Sequence, residues 1–330
     1  MELVIPRAAI VGCGLIGQKR ARAMPPGSLR AVCDSNGSRA AALATACGAE
    51  PASDWRKIVT RMDIDLVVVA TPHDVLAEIT AAAADAGKQV LVEKPAARRS
   101  GELGAVRAAV ARSRAKVRVG FNHRYHPAFR QAREIVDRGG IGELTHVRGR
   151  YGHGGRLGYE KEWRFVPEVS GGGEAIDQGM HLVDLARWFL GDFSVVAGAV
   201  PTYFWAAPVE DNAFFLLRTP RGQVASLHAS WTEWKNLFSF EIFGRTGKLE
   251  IGGLGGSYGV ERLSYYAMTP QLGPPPTTIY EYPMGDDSWA AEYQAFLDDI
   301  ALDREPQPNF EDAAAALAIV EQVYAMEGRA

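Results

Sequence analysis

The sequence predicts an α/β protein in two parts. The first is a doubly wound parallel sheet, and the second is an α+β domain with a large, mainly antiparallel sheet. Up to residue 120, short apolar runs alternate with helical periodicity, as in a parallel sheet covered on both faces. Between residues 195 and 251, strand-like runs are separated only by short turns, which indicates antiparallel pairing. At 330 residues the chain is long for one core, so we expect two domains, 1–122 and 123–330.

Composition and charge exclude several classes of protein. Hydrophobic residues make up 47% of the chain, as in an ordinary globular protein, and a formal net charge of −3 gives no reason to expect a nucleic-acid partner. No apolar run is long enough for a membrane span, and the start lacks the features of a signal peptide. Cys13, Cys33 and Cys47 are too few and wrongly spaced for a zinc site. We expect a cytoplasmic protein without a metal centre or a membrane partner.

A glycine-rich turn follows the first strand candidate, Ala8–Val11, and precedes a helix over 18–23. The turn consists of Gly12, Cys13, Gly14, Leu15, Ile16 and Gly17. The first glycine allows the tight turn, the second lets the backbone approach a pyrophosphate, and the third lets helix and strand pack closely. The helix N-terminus then offers free N–H groups to the phosphates. Strand, glycines and helix in this order predict a dinucleotide-binding site.

Asp34 indicates which dinucleotide binds. It ends the second strand, Leu29–Cys33, where a carboxylate would accept hydrogen bonds from the adenosine ribose hydroxyls and repel a 2′-phosphate. We therefore expect NAD as the cofactor. Arg39 is close enough in sequence to keep NADP as the less favoured alternative.

The alternation of strands and helices continues beyond Asp34. A β-branched run over 66–70 ends in Thr71 and Pro72, as expected for a strand buried on both faces. The remaining elements of this half are helices over 75–86 and 101–114 and strands over 89–92 and 117–120. Ligands of open α/β sheets bind at the carboxyl ends of strands, so we expect Thr71 and Pro72 at the cofactor.

Glu93 and Lys94 follow the strand over 89–92 and therefore also belong at this edge. An ammonium group there can hydrogen-bond a substrate oxygen or stabilise negative charge on it, so Lys94 is a candidate for both cofactor and substrate binding. The alternative is a lysine solvated in a loop, where most lysines lie. We also expect Asn122 at the cofactor and Arg124 and Tyr151 at the substrate.

A second candidate site lies in the stretch 171–181, GGGEAIDQGMH. A helix after the glycines would put Asp177, His181 and Asp184 on one face, because positions four and seven apart stack along a helix. A carboxylate beside an imidazole can fix its orientation, and such a pair can take a proton from an alcohol. The alternative is a helix N-terminus with a surface carboxylate and a packed histidine.

The segment 152–170, between a strand over 144–151 and the glycines, is rich in glycine and in basic and aromatic side chains. Its composition suits a lid over a polyhydroxylated or anionic ligand, with Trp163 offering an apolar face to a sugar ring. Arg156 and Arg164 could grip a phosphate or carboxylate. The alternative is an ordinary surface loop whose charges pair locally.

The rest of the second half mixes helices with strands. An amphipathic helix is predicted over 127–138 and a further helix over 180–190. The strand candidates are 195–200, 213–218, 223–231, 237–243 and 248–251. Two more helical patterns, 289–303 and 311–327, end the chain and would pack back on its body.

Five motifs together resemble the Gfo/Idh/MocA family, the glucose–fructose oxidoreductase and inositol dehydrogenase group. They are GCGLIG at 12–17, ATP at 70–72, EKP at 93–95, GFNHRYHP at 120–127 and GGGEAIDQGMHLVD at 171–184. The resemblance implies a Rossmann domain, a second domain with a large, mainly antiparallel sheet, and Lys94, Asp177 and His181 as catalytic residues. It also implies a homo-oligomer, a dimer or tetramer. The family often has a histidine shortly after the Thr-Pro turn, where this chain has Leu76, with His73 directly after the turn.

These features predict an NAD-dependent oxidoreductase acting on a secondary alcohol of a sugar, sugar derivative or cyclitol. His181 would be the general base, with an unperturbed pKa of about 6.5, while Asp177 orients the reacting groups and Lys94 steadies developing negative charge. Two other classes stay open. One is an enzyme that retains NAD and uses transient oxidation for glycoside hydrolysis or epimerisation. The other is a non-catalytic NAD sensor, against which the presence of all three residues argues.

Overall fold

The computed structural model describes residues 5–271 and 273–329, which form two compact units. The first unit contains the chain up to Phe121 together with Trp289–Ala314. The second contains Asn122–Ser288 and the chain from Ala315 onwards. The chain therefore returns to its first unit near the C-terminus. From the sequence alone, by contrast, the whole of 123–330 was expected to form the second domain. Within the described ranges, no helix is long and apolar enough to cross a membrane.

The first unit is built on a six-stranded parallel sheet in the order β3-β2-β1-β4-β5-β6. Its strands are β1 Ala8–Val11, β2 Leu29–Cys33, β3 Glu50–Ala52, β4 Leu66–Val69, β5 Gln89–Glu93 and β6 Val117–Gly120. Its helices up to β6 are α1 Leu15–Ala23, α2 Gly37–Cys47, α3 Trp55–Val59, α4 Leu76–Asp85 and α5 Leu103–Ser113. The β-branched β4 is fully buried, as a central parallel strand must be. This strand order is that of a Rossmann fold, as predicted.

The second unit contains an eight-stranded sheet in the order β14-β13-β12-β11-β7-β10-β9-β8. The strands are β7 Leu144–Gly152, β8 Ser194–Ala199, β9 Asn212–Arg218, β10 Val224–Ser230, β11 Leu237–Gly244, β12 Gly247–Gly252, β13 Glu261–Ala267 and β14 Thr277–Tyr282. The helices are α6 Pro127–Asp137, α7 Pro167–Ser170, α8 Glu174–Asp177 and α9 Gly179–Leu190. Only β7 and β10 pair in parallel, so the prediction of a mainly antiparallel sheet is confirmed.

One face of this sheet is covered and the other is open. Along β9, Phe215 and Leu217 are buried while Phe214 and Leu216 are exposed, which is the alternation of a half-covered strand. The helix α9 packs on β7 and β10 and is buried at ten of its twelve positions. The covered face therefore positions the helix that carries His181.

Two helices end the chain, α10 Ser288–Ala301 and α11 Phe310–Met326. The side chains of Tyr293, Phe296 and Leu297 on α10 are buried in the core formed by β1, β2 and β4. This burial explains why the chain returns to the first unit. The sequence showed that α10 has an apolar face, but periodicity alone does not tell which sheet covers that face.

Candidate active site

The loop between β1 and α1 has the geometry that a bound dinucleotide requires. Gly12 has φ +100°, and a Cβ there would lie 2.3 Å from the carbonyl oxygen of Ala70. A Cβ at Gly17 would lie 1.9 Å from the carbonyl oxygen of Gly12. Around Gly14, by contrast, no described heavy atom lies within 4 Å of a Cβ position. Packing therefore requires the first and third glycines, while the second leaves the backbone open to a pyrophosphate.

The N-terminus of α1 is also suited to phosphate. Its N-cap is Gly14, which has no side chain to satisfy the first N–H groups, and the helix begins with Leu15 and Ile16. These N–H groups and the positive end of the helix dipole are available to an anion.

Asp34 stands at the end of β2, and the backbone orients its carboxylate. The Oδ2 atom accepts a hydrogen bond from the N–H of Cys13 at 2.8 Å, and Oδ1 accepts one from the N–H of Asn36 at 2.8 Å. The acid is thereby held against the glycine loop. Arg39 lies in the first turn of α2 with an exposed side chain, and its N–H bonds to the Asn36 side chain that caps the helix.

Thr71 follows β4 at the same edge of the sheet. Its Oγ1 is buried, and no partner for it is found among residues 5–271 and 273–329. A buried hydroxyl without a protein partner is rare and points to a group from outside the chain. This hydroxyl, the partly buried Pro72 beside it, the open backbone at Gly14 and the oriented Asp34 all fit NAD.

Glu93, at the end of β5, is engaged by Arg20 of α1. The Nε of Arg20 donates to Oε1 of Glu93 at 2.6 Å, and Nη1 donates to Oε2 of Glu292 on α10 at 2.6 Å. The three side chains are 1%, 10% and 0% exposed, and burial raises the pKa of Glu292. This buried cluster ties α1, β5 and α10 together directly before the partly buried Lys94. The carboxylate of Glu93 was expected at the cofactor. In the structure it pairs with Arg20 and so holds α1 against β5.

In the second unit, Asp177 ends α8 and pairs with Arg164. The Nε of Arg164 donates to Oδ2 of Asp177 at 3.1 Å, and its Nη1 lies 3.3 Å from Oε2 of Glu162. Glu162 also binds Arg156. The two arginines expected to grip an anionic substrate are thus paired with acids, one of which is the candidate catalytic Asp177.

His181 lies in the first turn of α9 and its ring stacks on the ring of His123. The ring centroids are 3.8 Å apart and the planes differ by 17°, and both residues are buried. The ring of Tyr151 lies beside both imidazoles, at 5.2 Å from His123 and 6.2 Å from His181. Burial raises the pKa of Tyr151 well above its usual value, so its hydroxyl stays protonated. His123 lies within the motif GFNHRYHP at 120–127 but was not singled out, because stacking across elements leaves no spacing pattern.

A buried ion pair braces the same helix. Arg124 donates to Asp184 through Nε at 2.9 Å and through Nη2 at 2.5 Å. Asp184 lies three residues after His181, and both ends of the pair are buried. Arg124 and Asn122 were expected at the substrate and the cofactor. Here the guanidinium engages Asp184, and the amide of Asn122 donates to the hydroxyl of Ser288 at 2.8 Å.

Glu210, which the sequence did not single out, anchors the glycines before α8. Its Oε1 accepts hydrogen bonds from the N–H groups of Gly173 and Ala175, each at 3.0 Å, and from the hydroxyl of Tyr324 at 2.6 Å. A Cβ at Gly172 would lie 2.0 Å from that hydroxyl. The glycines are therefore needed so that the chain can approach a buried carboxylate that satisfies the first N–H groups of α8.

The segment 152–170 packs on an aromatic cluster of its own. Tyr159 and Phe165 are buried against Trp231 and Val209, with Trp205 packed beside them. Burial raises the pKa of Tyr159.

Trp163, expected to face a sugar ring, is partly buried, and the guanidinium of Arg164 lies 4.8 Å from its ring centre. Much of the segment's aromatic content thus forms a small core that fixes the segment in place.

A Rossmann unit with a loop suited to pyrophosphate, joined to a unit whose sheet supports an acid and an imidazole on adjoining helices, defines a dinucleotide-dependent oxidoreductase. Residues 6–121 match the model of the oxidoreductase family with an NAD-binding Rossmann fold, and residues 129–250 match the GFO/IDH/MocA C-terminal domain. The chain belongs to the Gfo/Idh/MocA family of NAD-binding oxidoreductases, so the predicted family and cofactor are confirmed.

Known relatives span much of the chain. Inositol 2-dehydrogenase of Rhizobium meliloti is 28% identical over 329 residues, which cover 96% of this chain and 94% of that protein. Levoglucosan dehydrogenase of Pseudarthrobacter phenanthrenivorans is 35% identical over 196 residues, 58% of this chain but only 50% of that protein. A solved structure of levoglucosan dehydrogenase in complex with NADH and levoglucosan has a TM-score of 0.85 and 26% identity, covering 97% of each chain.

Proposed function

We propose that this protein transfers hydride between NAD and a secondary alcohol of a sugar, sugar derivative or cyclitol. The observation that carries the proposal is the placement of Asp177 and His181 on the adjoining helices α8 and α9. The buried Glu210 anchors the first of these helices, and Asp184 braces the second. Relatives named inositol 2-dehydrogenase and levoglucosan dehydrogenase support the same class of reaction.

Each proposed catalytic residue has one task. When bound, NAD supplies the hydride acceptor. His181, in its neutral form, accepts the proton of the substrate hydroxyl at a ring nitrogen. Asp177, held by Arg164, orients that hydroxyl or the imidazole. Lys94 donates a hydrogen bond to the same oxygen and stabilises the negative charge that develops there as the proton leaves.

We propose a neutral polyol as substrate. The sequence left room for an anionic group bound by Arg156 and Arg164. Both guanidiniums are engaged with carboxylates, Arg156 with Glu162 and Arg164 with Glu162 and Asp177. A phosphate would have to displace these acids, whereas hydroxyl groups can hydrogen-bond to the existing pairs.

The general-base role predicts the effect of one substitution. His181→Ala should lower turnover by about a hundredfold or more, because a positioned base contributes that much to the rate. NAD affinity, measured by calorimetry, should stay near that of the unmodified protein. Retained turnover would refute the role of His181. His146→Phe is the control, because His146 stacks on Phe243 outside this cluster, and it should keep full turnover.

Assays of free NADH separate this proposal from the redox-neutral alternatives. A dehydrogenase releases one NADH for each polyol oxidised, which absorbance at about 340 nm follows directly. Hydrolysis or epimerisation through retained NAD would change the sugar without net NADH. A panel of inositols, free aldoses and anhydrosugars, each assayed with NAD, would identify the substrate.

We also propose that the protein is a cytoplasmic homo-oligomer, a dimer or tetramer. The open face of the second unit's sheet exposes Phe214 and Leu216 of β9, and Val196 of β8 is exposed on the neighbouring strand. Exposed apolar residues grouped on one face support association between copies. Light scattering after size-exclusion chromatography gives the number of copies, and a monomeric mass would contradict the proposal.

A further inference from the structure

The imidazole stacked on His181 belongs to a residue with no role in the scheme above. His123 and His181 are 5% and 7% exposed, and their ring centroids are 3.8 Å apart with nearly parallel planes. Two other histidines also stack in this chain. His146 stacks on Phe243 and His228 on Phe214, each at 4.1 Å. Those partners cannot be protonated, whereas His123 and His181 both can.

Two imidazoles at this separation cannot both carry a charge at low cost. Like charges in contact disfavour the doubly charged state, so two such groups lose their protons in two separated steps. For charges about 4 Å apart and largely screened from water, the separation between the steps is about one pH unit or more. The stack should therefore bind one proton across the range in which two isolated histidines would bind two.

The charged groups around the stack are paired with one another. The pairs are Arg124 with Asp184, Asp177 with Arg164, and His126 with Glu261. In the last pair, Nδ1 of His126 lies 2.8 Å from Oε2 of Glu261. Glu174, the other acid of α8, is fully buried. These acids favour the binding of one proton by the stack, but they do not remove the repulsion between two protonated rings.

Several aromatic rings also contact the stack, and the ring centroid of His126 lies 5.6 Å from that of His123. Tyr151 lies beside both rings and burial holds its pKa well above the usual value. Tyr258 contacts Tyr151, and burial raises its pKa to about 12. The ring of Phe238 packs edge-to-face with that of His123, with the ring centroids 5.8 Å apart. The two stacked imidazoles thus lie among protonated phenols, apolar rings and a third imidazole, that of His126, which is paired with Glu261.

We infer that His123 is a positioning residue for His181: its stacked ring fixes the plane of the base and restricts the two rings to a single positive charge. His181 can therefore act as a base while both rings are neutral: it accepts the substrate's proton, and the resulting charge is the single one that the stack can hold. The inference rests on the proposed function, in which His181 is the general base. It extends that function by assigning a second residue and a pH dependence.

Titration of the unmodified protein tests the shared charge without any activity. In NMR spectra of protein labelled at histidine, His123 and His181 should titrate in two coupled steps separated by about one pH unit or more. In His123→Phe, which keeps a stacked ring, His181 should titrate in one step. Independent single-step curves for both rings in the unmodified protein would overturn the inference, whatever the enzyme's activity.

Kinetics test the consequence for the base. The acid limb of kcat/KM should follow the first proton that the stack binds, because a proton on either ring keeps His181 from accepting another. In His123→Phe only His181 can bind that proton, so half-maximal activity should move to lower pH, by about 0.3 unit if the two rings bind the proton equally and by more if His123 binds it more strongly. His123→Gln provides a second variant without a titrating ring if His123→Phe folds poorly. Acid limbs that superimpose would overturn the inference.

Two further variants separate the possible failures. His146→Phe removes a histidine stacked on a ring that does not titrate, so its pH profile should match that of the unmodified enzyme. A purely structural role for His123 would lower thermal stability in His123→Phe and leave the pH profile in place. If His181→Ala keeps full turnover, the proposed function fails, whereas the NMR titration still decides whether the rings share one proton.

Discussion

Asp34 combines a negative charge with two hydrogen bonds to the backbone, and both bear on the choice of cofactor. Because the N–H groups of Cys13 and Asn36 hold the carboxylate, it cannot easily turn away from a ligand at the glycine loop. A 2′-phosphate placed there would meet a fixed negative charge, whereas ribose hydroxyls would meet acceptors.

Asp34→Ser should therefore weaken the preference for NAD. We expect the ratio of kcat/KM for NAD to that for NADP to fall by at least about tenfold, because one charge repulsion and one acceptor are lost. Asp54→Ser is a matched control, since Asp54 caps α3 through the N–H of Arg56 and should leave the ratio unchanged. A ratio that favours NADP before any substitution would show that Asp34 has been misinterpreted.

The residues with local signatures were predictable, and those defined by tertiary contacts were not. Gly12, Gly14 and Gly17 could be assigned because a turn fixes their spacing. His123 and Glu210 act through partners far away in the chain, His181 and Tyr324, so no local pattern marks them. The same reason explains why the pairing of Arg164 with Asp177 did not follow from their sequence positions.

At the scale of elements, α8 depends on a buried acceptor from outside the helix. The helical interpretation that placed Asp177, His181 and Asp184 on one face covers two helices, Glu174–Asp177 and Gly179–Leu190, with Gln178 between them. The side chain of Glu210 supplies the capping that the three glycines cannot. Its carboxylate is buried, which raises its pKa, and the donated hydrogen bonds offset part of that cost.

Tyr324→Phe tests this anchor with the smallest possible change. Loss of the hydroxyl leaves Glu210 short of one donor, so we expect a loss of about 1–3 kcal/mol in the free energy of unfolding, together with lower turnover. Urea denaturation measures the first effect. Tyr293→Phe is the matched control, because the hydroxyl of Tyr293 is buried and finds no hydrogen-bond partner within the described residues. Equal stability of the two variants would contradict the anchoring role.

Apolar periodicity located most of the strands, but it missed the polar ones. β13 and β14 were not predicted. Five of the six residues of β14 are exposed, and this strand lies at the edge of the sheet. Edge strands need no apolar face, so their pairing leaves little trace in composition. β3 was missed because it is only three residues long.

At the scale of the whole molecule, the first unit is completed by a helix from the far end of the chain. Phe296 on α10 is fully buried in the core of the NAD-binding unit. Phe296→Ala should therefore destabilise that unit by about 3–5 kcal/mol, as large-to-small core substitutions do. Urea unfolding should show the loss, and added NAD should recover part of it because NAD binds the folded state.

Phe204→Ala is the control for Phe296→Ala. Phe204 is 55% exposed and belongs to the second unit, so its removal should cost less than about 1 kcal/mol. If Phe296→Ala unfolded at the same urea concentrations as the unmodified protein, both with and without NAD, α10 would not belong to the core of the first unit.

The late return of α10 has a consequence for biosynthesis. A nascent chain that has emerged only as far as β6 still lacks Glu292, the second buried partner of Arg20, and the aromatic residues that close the core. Domains that form one continuous segment can fold while translation proceeds, the N-terminal one first. Here the core of the first unit stays incomplete until the ribosome has synthesised the entire sheet of the second unit.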